Sequence, residues 1–100
     1  MHTENKGEAL LITGFHELSA LNVAVFRDLG RNELKPGHAR IDVDLTQTRF
    51  LDSSGIGGLI SLHKTMCERK GKVRLINPAQ TVQQVLELTR MHRLFEIVHN

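Results

Sequence analysis

The sequence predicts a single α/β domain whose helices pack mainly on one face of a β-sheet. Two segments, residues 40–45 and 72–76, alternate apolar and polar side chains and therefore form strands with one buried and one solvated face. Between them, residues 56–67 carry apolar side chains at helical spacing, and this strand-helix-strand order indicates a right-handed parallel crossover. A length of 100 residues is near the commonest size for one domain and is too short for two.

The first half of the chain supplies one more strand and one helix. Residues 10–12 form a short apolar run that a Thr-Gly pair ends, which predicts a strand followed by a turn. Ser19 is placed to cap the next helix, which continues through Gly30 until the Lys-Pro-Gly at residues 35–37 ends it. The apolar stripe of this helix consists of Leu18, Leu21, Val25, Phe26, Leu29 and Leu34.

The second half adds a further helix and an edge strand to the crossover. Gly71 is placed to end the crossover helix. After the strand that follows, Thr81 and Gln84 resemble a capping box at the start of a third helix. Residues 94–98 are apolar enough for a short helical turn followed by an edge strand.

Composition argues against several classes of function. Charged residues make up 24% and hydrophobic residues 40% of the chain, as in an ordinary globular protein. The net charge of +2 and the absence of Trp and Tyr argue against a nucleic acid partner. No stretch approaches the roughly 18 apolar residues of a membrane span, and the polar N-terminus lacks the apolar segment of a signal peptide. We therefore expect a cytoplasmic protein without direct membrane insertion.

The single cysteine and the six histidines do not form a recognisable metal site. Cys67 has no partner for an intrachain disulfide and is predicted to be a small buried residue. His63 precedes it by four residues on the same apolar helix face, but no carboxylate or second His-Cys pair joins them at ligand spacing. We therefore predict no metal and no other cofactor. The remaining histidines are expected at the surface or in loops: His2, His16, His38, His92 and His99.

The segment FLDSSGIGGL, residues 50–59, is the most distinctive part of the sequence. A catalytic serine needs a neighbouring base, and the GxSxG pattern of hydrolases is absent. A phosphate-binding loop is also incomplete, since there is no GxxxxGK[ST] and Lys64 lies more than two turns into the helix. Ser53 or Ser54 can instead cap the helix by accepting an N–H from its first turn. The residues alone favour capping and predict no catalytic residue, without explaining why two serines and an acid crowd one helix start.

Three separated blocks of the sequence resemble one known family. FLDSSGIGGLISLHK, GKVRLINP and VLELTRMHRLFEI occur in the order and at the spacing of the STAS domain of the anti-sigma factor antagonist family, over about residues 8–98. The resemblance implies a small mixed, mostly parallel β-sheet with helices packed mainly on one face. It also implies that residues 1–100 form a single STAS domain.

The resemblance further implies a regulatory protein that is not an enzyme. Unphosphorylated family members bind an anti-sigma factor that is also a serine kinase of the histidine-kinase-like ATPase type. That kinase phosphorylates them, which ends the binding, and a PP2C-type serine phosphatase restores them. The modified residue is the serine directly after the aspartate of the DSSG motif, which here is Ser53. The partner surface implied in this way comprises Glu17, Asp52, Ser53, Ser54, Gly55, Ile56, Gly57 and Gly58.

A second function is open to the same fold. STAS domains also serve as subunits of ABC-type membrane transport complexes, where the domain docks on an ATPase and needs no phosphorylation. The small size of the chain and its DSSG motif favour the partner switch over this alternative.

The sequence departs from the family pattern in three places. Family members commonly have Gly-Glu-Leu-Asp after the first long strand, whereas this chain has Gly-Phe-His-Glu at residues 14–17, so Glu17 is expected at the acidic position. Arg90 occupies a position where the family often has glycine, which suits a left-handed helix end. The N-terminal segment is short, and the first edge strand is therefore expected to be truncated or missing.

Overall fold

Seven β-strands, three α-helices and one 3₁₀ turn make up the chain, and the computed structural model describes all of it, Met1–Asn100. No helix combines the length and the apolar composition that crossing a bilayer requires. The helices are α1 (Val23–Glu33), α2 (Ser53–Glu68) and α3 (Gln80–Leu88), and the 3₁₀ turn is Met91–Arg93. The strands are β1 (His2–Lys6), β2 (Ala9–Thr13), β3 (Glu17–Leu18), β4 (Arg40–Asp44), β5 (Phe50–Leu51), β6 (Lys72–Ile76) and β7 (Glu96–Val98).

Five of the strands form one sheet in the order β1-β2-β4-β6-β7. β1 and β2 are antiparallel, and every other neighbouring pair in this sheet is parallel. The predicted mixed, mostly parallel sheet is therefore confirmed, and α2 is the predicted crossover helix between two parallel strands. β3 and β5 form a separate two-stranded parallel pair.

The first edge strand, which was expected to be truncated or missing, is present. β1 pairs with β2 from His2↔Thr13 to Lys6↔Ala9. Gly7, with a φ of +71°, adopts the left-handed conformation that the tight turn between these strands needs. The expectation was wrong because such a turn uses very little chain, so even a short N-terminal segment can form a five-residue strand.

The hydrophobic core lies between the helices and one face of the sheet. The strands alternate as predicted, with Ile41 and Val43 of β4 and Val73 and Leu75 of β6 buried. The helices contribute the other side of a cluster of 17 buried residues, mainly through Phe26, Leu59, Leu62, Met66, Val82 and Leu86.

The first helix buries less of its predicted apolar stripe than the spacing indicated. Asn22, and not Ser19, occupies its N-cap. The carbonyl of Ser19 instead accepts the N–H groups of Asn22 and Val23 in a turn, so the helix begins later than predicted. As a result Leu21 precedes the helix and is 86% exposed, and Val25 is 53% exposed.

Gly71 ends α2 for a different reason from the predicted one. The helix ends at Glu68, and the left-handed position belongs to Lys70, with a φ of +59°. The N–H of Gly71 donates to the carbonyl of Met66 at 2.7 Å. A side chain at this position would lie 2.6 Å from the carbonyl oxygen of Ala39, so the glycine is needed for the close approach of two backbone segments.

The capping box predicted at Thr81 and Gln84 is wrong. α3 begins at Gln80, and its N-cap is Ala79, which makes no side-chain hydrogen bond. The helix starts earlier than the box indicated because the carbonyl of Ala79 already accepts the N–H of Gln83. Solvent can satisfy the N–H groups of an exposed helix start, and a capping side chain is then dispensable.

The edge strand predicted within residues 94–98 is confirmed, but the helical turn lies before that segment, at Met91–Arg93. The 3₁₀ turn is followed by β7, which pairs with β6 as a parallel edge strand. Arg90 has a φ of +60° and so adopts the left-handed conformation at the position where the family often has glycine.

Two further expectations about burial were wrong. Cys67 is exposed, because the buried face of α2 follows Met66 rather than its neighbour. His38 lies in a loop, as predicted, but it is only 3% exposed. Its Nδ1 accepts the N–H of Lys35 at 2.9 Å, and its Nε2 lies 3.0 Å from Oδ1 of Asn5, so the imidazole holds two loops together.

The second face of the sheet is less solvated than the alternating pattern predicted. Asp42 in the middle of β4 is only 8% exposed. Its carboxylate accepts hydrogen bonds from Nε of Arg40 at 2.9 Å and from Nε and Nη2 of Arg74 at 3.0 and 3.1 Å. Glu96 of β7 extends this network, with Oε1 at 2.9 Å from Nζ of Lys72 and Oε2 at 3.9 Å from Nη1 of Arg74.

The hydrogen bonds and charges around Asp42 lower the pKa of its carboxyl group. Burial by itself raises the pKa, but the hydrogen bonds and positive charges of Arg74 and Arg40 outweigh burial and hold it below its ordinary value. The ionised carboxylate therefore contributes to the stability of the folded state.

Glycine allows α2 to approach β3 closely. A methyl group on Gly55 would overlap the carbonyl oxygen of Leu18, which belongs to the backbone and cannot move aside. At Gly57, two residues further along α2, a methyl group would meet nothing closer than Nη2 of Arg27 at 3.3 Å.

We expect Asp42→Asn to lower the free energy of unfolding at pH 7 by about 1–3 kcal/mol, less than for a fully buried ion pair because solvent screens the partly exposed arginine partners. The lowered pKa means that this stabilisation is complete above about pH 5 and is lost as the pH falls through the folded-state value, below 3.8. Urea unfolding at pH 7 and at about pH 3 should therefore show a shrinking difference between the two proteins. Asp28→Asn, which removes an exposed partner of Arg31, is the control, with an expected loss below about 0.5 kcal/mol. If the loss of unfolding free energy in Asp42→Asn were the same at both pH values, the ionised carboxylate of Asp42 would not be its cause.

We expect Gly55→Ala to lower the free energy of unfolding by about 3 kcal/mol, because the added methyl group forces α2 away from β3. Gly57→Ala is the matched control in the same helix. Its methyl group meets only a flexible side chain, and the higher helix propensity of alanine should raise stability by up to about 1 kcal/mol. Denaturant unfolding of both variants measures the contrast, and equal effects would show that close packing at Gly55 is not the cause.

Candidate functional site

The candidate site is the start of α2 together with the segment that follows β3. The parallel pairing of β3 with β5 aligns Glu17 with Phe50 and Leu18 with Leu51. This pairing brings two distant parts of the sequence together just before α2 begins. The DSSG motif therefore lies beside residues 19–22, which lead into α1.

Asp52 is the residue that caps α2. Its Oδ1 accepts the N–H of Gly55 at 2.8 Å, as an N-cap side chain does, and its Oδ2 accepts the N–H of Ala20 at 3.1 Å. The capping role predicted for Ser53 or Ser54 is therefore wrong. Both serines already belong to the first turn of the helix, whereas the cap is the residue before that turn.

The carboxyl group of Asp52 is held in its charged form. The N–H of Gly55 has the largest effect and lowers the pKa, and the N–H of Ala20 acts in the same direction. A negative charge therefore stands at the helix start, directly before the two serines.

The two serines differ in accessibility. Ser53 is the first residue of α2 and is exposed, whereas Ser54 is half-buried. Neither hydroxyl makes a hydrogen bond to a histidine or a carboxylate, although an activated serine nucleophile needs a base within reach. The arrangement presents a serine hydroxyl to the outside at a helix start with a defined backbone.

Glu17, expected at the acidic position of the motif, is half-buried and bonded within its own loop. Its Oε2 accepts the hydroxyl proton of Ser19 at 2.6 Å. Nδ2 of Asn22 donates to the carbonyl of Glu17 at 2.7 Å, while Oδ1 of the same side chain accepts the N–H of Ser19 at 2.9 Å. These bonds order the loop, and they direct the carboxylate of Glu17 to Ser19.

The other residues of the predicted partner surface lie at different depths. Ile56 and Gly57 are half-buried, and Gly55 and Gly58 are buried. A methyl group on Gly58 would lie 2.6 Å from Cγ2 of Val23, so this glycine lets α2 approach α1. The two buried glycines do not form part of the exposed surface but allow α2 to pack closely against β3 and α1 beneath it.

Three apolar side chains, one each before α1, in α1 and in β5, are exposed, which was not predicted from the sequence. We call Leu21, Val25 and Phe50 the apolar rim; they are 86%, 53% and 55% exposed. Helical spacing assigned two of them to a buried stripe, and no local signal marks them as exposed.

No group of three or more His, Cys, Asp or Glu side chains in the chain is arranged to hold a metal ion.

Comparisons with known proteins agree with this architecture. The family model described as "Mlab, STAS domain" matches residues 1–98. A protein of Thermotoga maritima, whose name assigns it provisionally to the anti-sigma factor antagonists, is 28% identical over 82 residues, which are 81% of this chain and 73% of that protein. A crystal structure from the same organism, with the same provisional name, has a TM-score of 0.91 at 22% identity and covers 99% of this chain and 86% of its own.

Two solved structures of the anti-sigma factor antagonist SpoIIAA are similar to this chain. The unphosphorylated form has a TM-score of 0.81 at 22% identity, over 96% of this chain and 85% of its own. The phosphorylated form of the Bacillus protein has a TM-score of 0.74 at 21% identity, over 96% of this chain and 88% of its own. At these identities the structural likeness establishes the fold. The family model covers nearly the whole sequence, and the chain therefore belongs to the STAS domain family, among whose members are anti-sigma factor antagonists.

Proposed function

We propose that this protein is an anti-sigma factor antagonist that acts as a partner switch, with Ser53 as its phosphorylated residue. The observation that carries the proposal is the exposure of Ser53 at the first residue of α2. A kinase must reach its acceptor, and Ser53 meets this requirement better than the half-buried Ser54. The existence of SpoIIAA, a protein of the same fold, in unphosphorylated and phosphorylated forms supports the proposal.

A phosphate on Ser53 would change the surface more than the fold. It adds about 1.5–2 negative charges, and the positive end of the helix dipole attracts them. The neighbouring carboxylate of Asp52 repels the phosphate, but it is already engaged by the N–H groups of Gly55 and Ala20. Because Ser53 is exposed, water solvates the new charge, and we expect the domain to keep its structure.

The partner in this proposal is an anti-sigma factor that is also a serine kinase of the histidine-kinase-like ATPase type. It binds the start of α2 and Glu17 while Ser53 is unmodified, and the apolar rim supplies the apolar area that the centre of a protein interface needs. Phosphorylation then places a charged group inside the contact, and a desolvated or like-charged group there costs several kcal/mol, which is orders of magnitude in affinity. A PP2C-type serine phosphatase restores binding.

The proposed protein is not itself an enzyme. It acts in the cytoplasm, with no cofactor, no nucleic acid partner and no direct membrane insertion. The alternative, a STAS subunit of an ABC-type membrane transport complex, uses the same fold without phosphorylation. Co-purification discriminates between them: a histidine-kinase-like ATPase supports the switch, and an ATP-binding-cassette subunit supports the transport complex.

We expect the candidate kinase and ATP to add one phosphate to the purified protein at Ser53. Mass spectrometric mapping of the unmodified protein, Ser53→Ala and Ser54→Ala checks this assignment. Ser53→Ala should abolish incorporation because it removes the acceptor oxygen, whereas Ser54→Ala should keep it. Phosphate retained in Ser53→Ala and lost in Ser54→Ala would overturn the choice of acceptor.

We expect Ser53→Asp to weaken binding of the kinase partner by at least about tenfold, because it places a charge within the contact. Circular dichroism and thermal melting should change little, since the substituted side chain is exposed. Asn32→Asp adds the same charge near the other end of α1 and serves as the control, with affinity unchanged. Calorimetric titration of the partner measures both variants. A large loss of helical signal in Ser53→Asp would argue for unfolding rather than a block at the surface.

A further inference from the structure

A pocket between α1 and α2 borders the partner surface at Arg27, whose Nη2 would lie 3.3 Å from a methyl group on Gly57, but none of the residues that line the pocket belongs to that surface. It has a volume of about 220 Å³, and three arginines line it, Arg27, Arg31 and Arg69. That volume is below the roughly 300–1,000 Å³ of pockets that hold drug-sized ligands, so a fitting ligand is small.

The charges around this pocket are unbalanced. No carboxylate is among its lining residues. The only ion pair that its arginines make joins Nη1 of Arg31 to Oδ1 of Asp28 at 3.7 Å, and both side chains are largely exposed, so the pair is weak. Guanidinium groups gathered around one cavity repel each other unless an anion compensates them. The pocket is therefore electropositive.

Two of the arginines have donors that the protein does not use. Nε of Arg27 is buried and makes no hydrogen bond. Arg69 is anchored by its Nη1, which donates to the carbonyls of Lys35 at 2.9 Å and His38 at 3.0 Å, and its other nitrogens make no hydrogen bond to the protein. Buried donors are almost always satisfied in folded proteins, so the Nε–H of Arg27 favours a neighbouring acceptor.

The rest of the lining is uncharged. Ser61 and Thr65 lie one turn apart on α2, and Oγ1 of Thr65 donates to the carbonyl of Ser61 at 3.1 Å. The hydroxyl of Ser61 makes no hydrogen bond within the chain, so it can bond a ligand. Leu34 and Leu62 supply the only apolar side chains.

We propose that this pocket binds a small phosphate-bearing molecule, either inorganic diphosphate or the monophosphate ester of a small sugar. Guanidinium groups match phosphate oxygens with paired, charge-assisted hydrogen bonds, and three of them can surround one phosphate group. The hydroxyl of Ser61 and the two leucines then contact the remainder of the molecule.

Isothermal titration calorimetry of the full chain with inorganic pyrophosphate, and separately with glucose 6-phosphate, tests the proposal. Saturable binding of at least one probe is expected, with glucose as the uncharged control giving none. Arg27→Gln and Arg31→Gln should each weaken binding by at least about tenfold, because each removes charge-assisted hydrogen bonds. Arg31 is largely exposed, so Arg31→Gln should not disturb the fold. It therefore tests the pocket even if Arg27→Gln lowers the melting temperature.

Arg93→Gln is the matched control for charge. Arg93 is exposed, lies outside the pocket and makes no ion pair, so its loss removes one positive charge and should leave the affinity unchanged. Equal weakening by Arg93→Gln would show general charge attraction and would overturn the proposal. The proposal would also be overturned if neither probe bound saturably up to about 10 mM, or if neither Arg27→Gln nor Arg31→Gln changed the affinity.

Discussion

The candidate site depends on the two hydrogen bonds that the carboxylate of Asp52 accepts from the backbone. One oxygen closes the first turn of α2 through the N–H of Gly55, and the other holds the N–H of Ala20 in the segment after β3. Gly55 makes this junction possible, because any side chain there would overlap the carbonyl of Leu18. One residue therefore fixes a loop and a helix start relative to each other, and Ser53 is presented on a rigid backbone rather than on a mobile loop.

Two aspartates with lowered pKa values serve this fold in different ways. Asp42 is balanced by the guanidinium groups of Arg40 and Arg74, so its charge is neutralised and stabilises the sheet. Asp52 is held by backbone N–H groups, which stabilise the carboxylate but do not cancel its charge. The start of α2 therefore keeps a negative charge at the surface before any modification occurs, and a phosphate on Ser53 would add to it.

The arginines also fall into two groups. Arg74 faces the carboxylates of Asp42 and Glu96 across neighbouring strands, where parallel pairing places these residues side by side. Arg40 donates to Asp42 within the same strand, β4. The arginines between α1 and α2 have no such partner, apart from one weak, exposed pair. Because only Nη1 of Arg69 among their donors makes a hydrogen bond to the protein, that groove differs from the rest of the surface, whose charges are largely paired or scattered.

The sequence by itself determined those features that depend on local pattern. Alternation over residues 40–45 and 72–76 predicted two one-sided strands, helical spacing predicted the crossover helix, and the DSSG motif placed Ser53 at a helix start. Only the tertiary structure decided which side chains are buried and which residue caps each helix. The helix starts differ from the predicted ones by a few residues, which the spacing of apolar residues does not resolve. Burial depends on contacts between residues far apart in the chain, such as the bond of Arg74 to Asp42, and a local pattern does not contain them. For this physical reason the local pattern missed the burial of Asp42 and His38, the exposure of Leu21 and Cys67, and the pocket between α1 and α2.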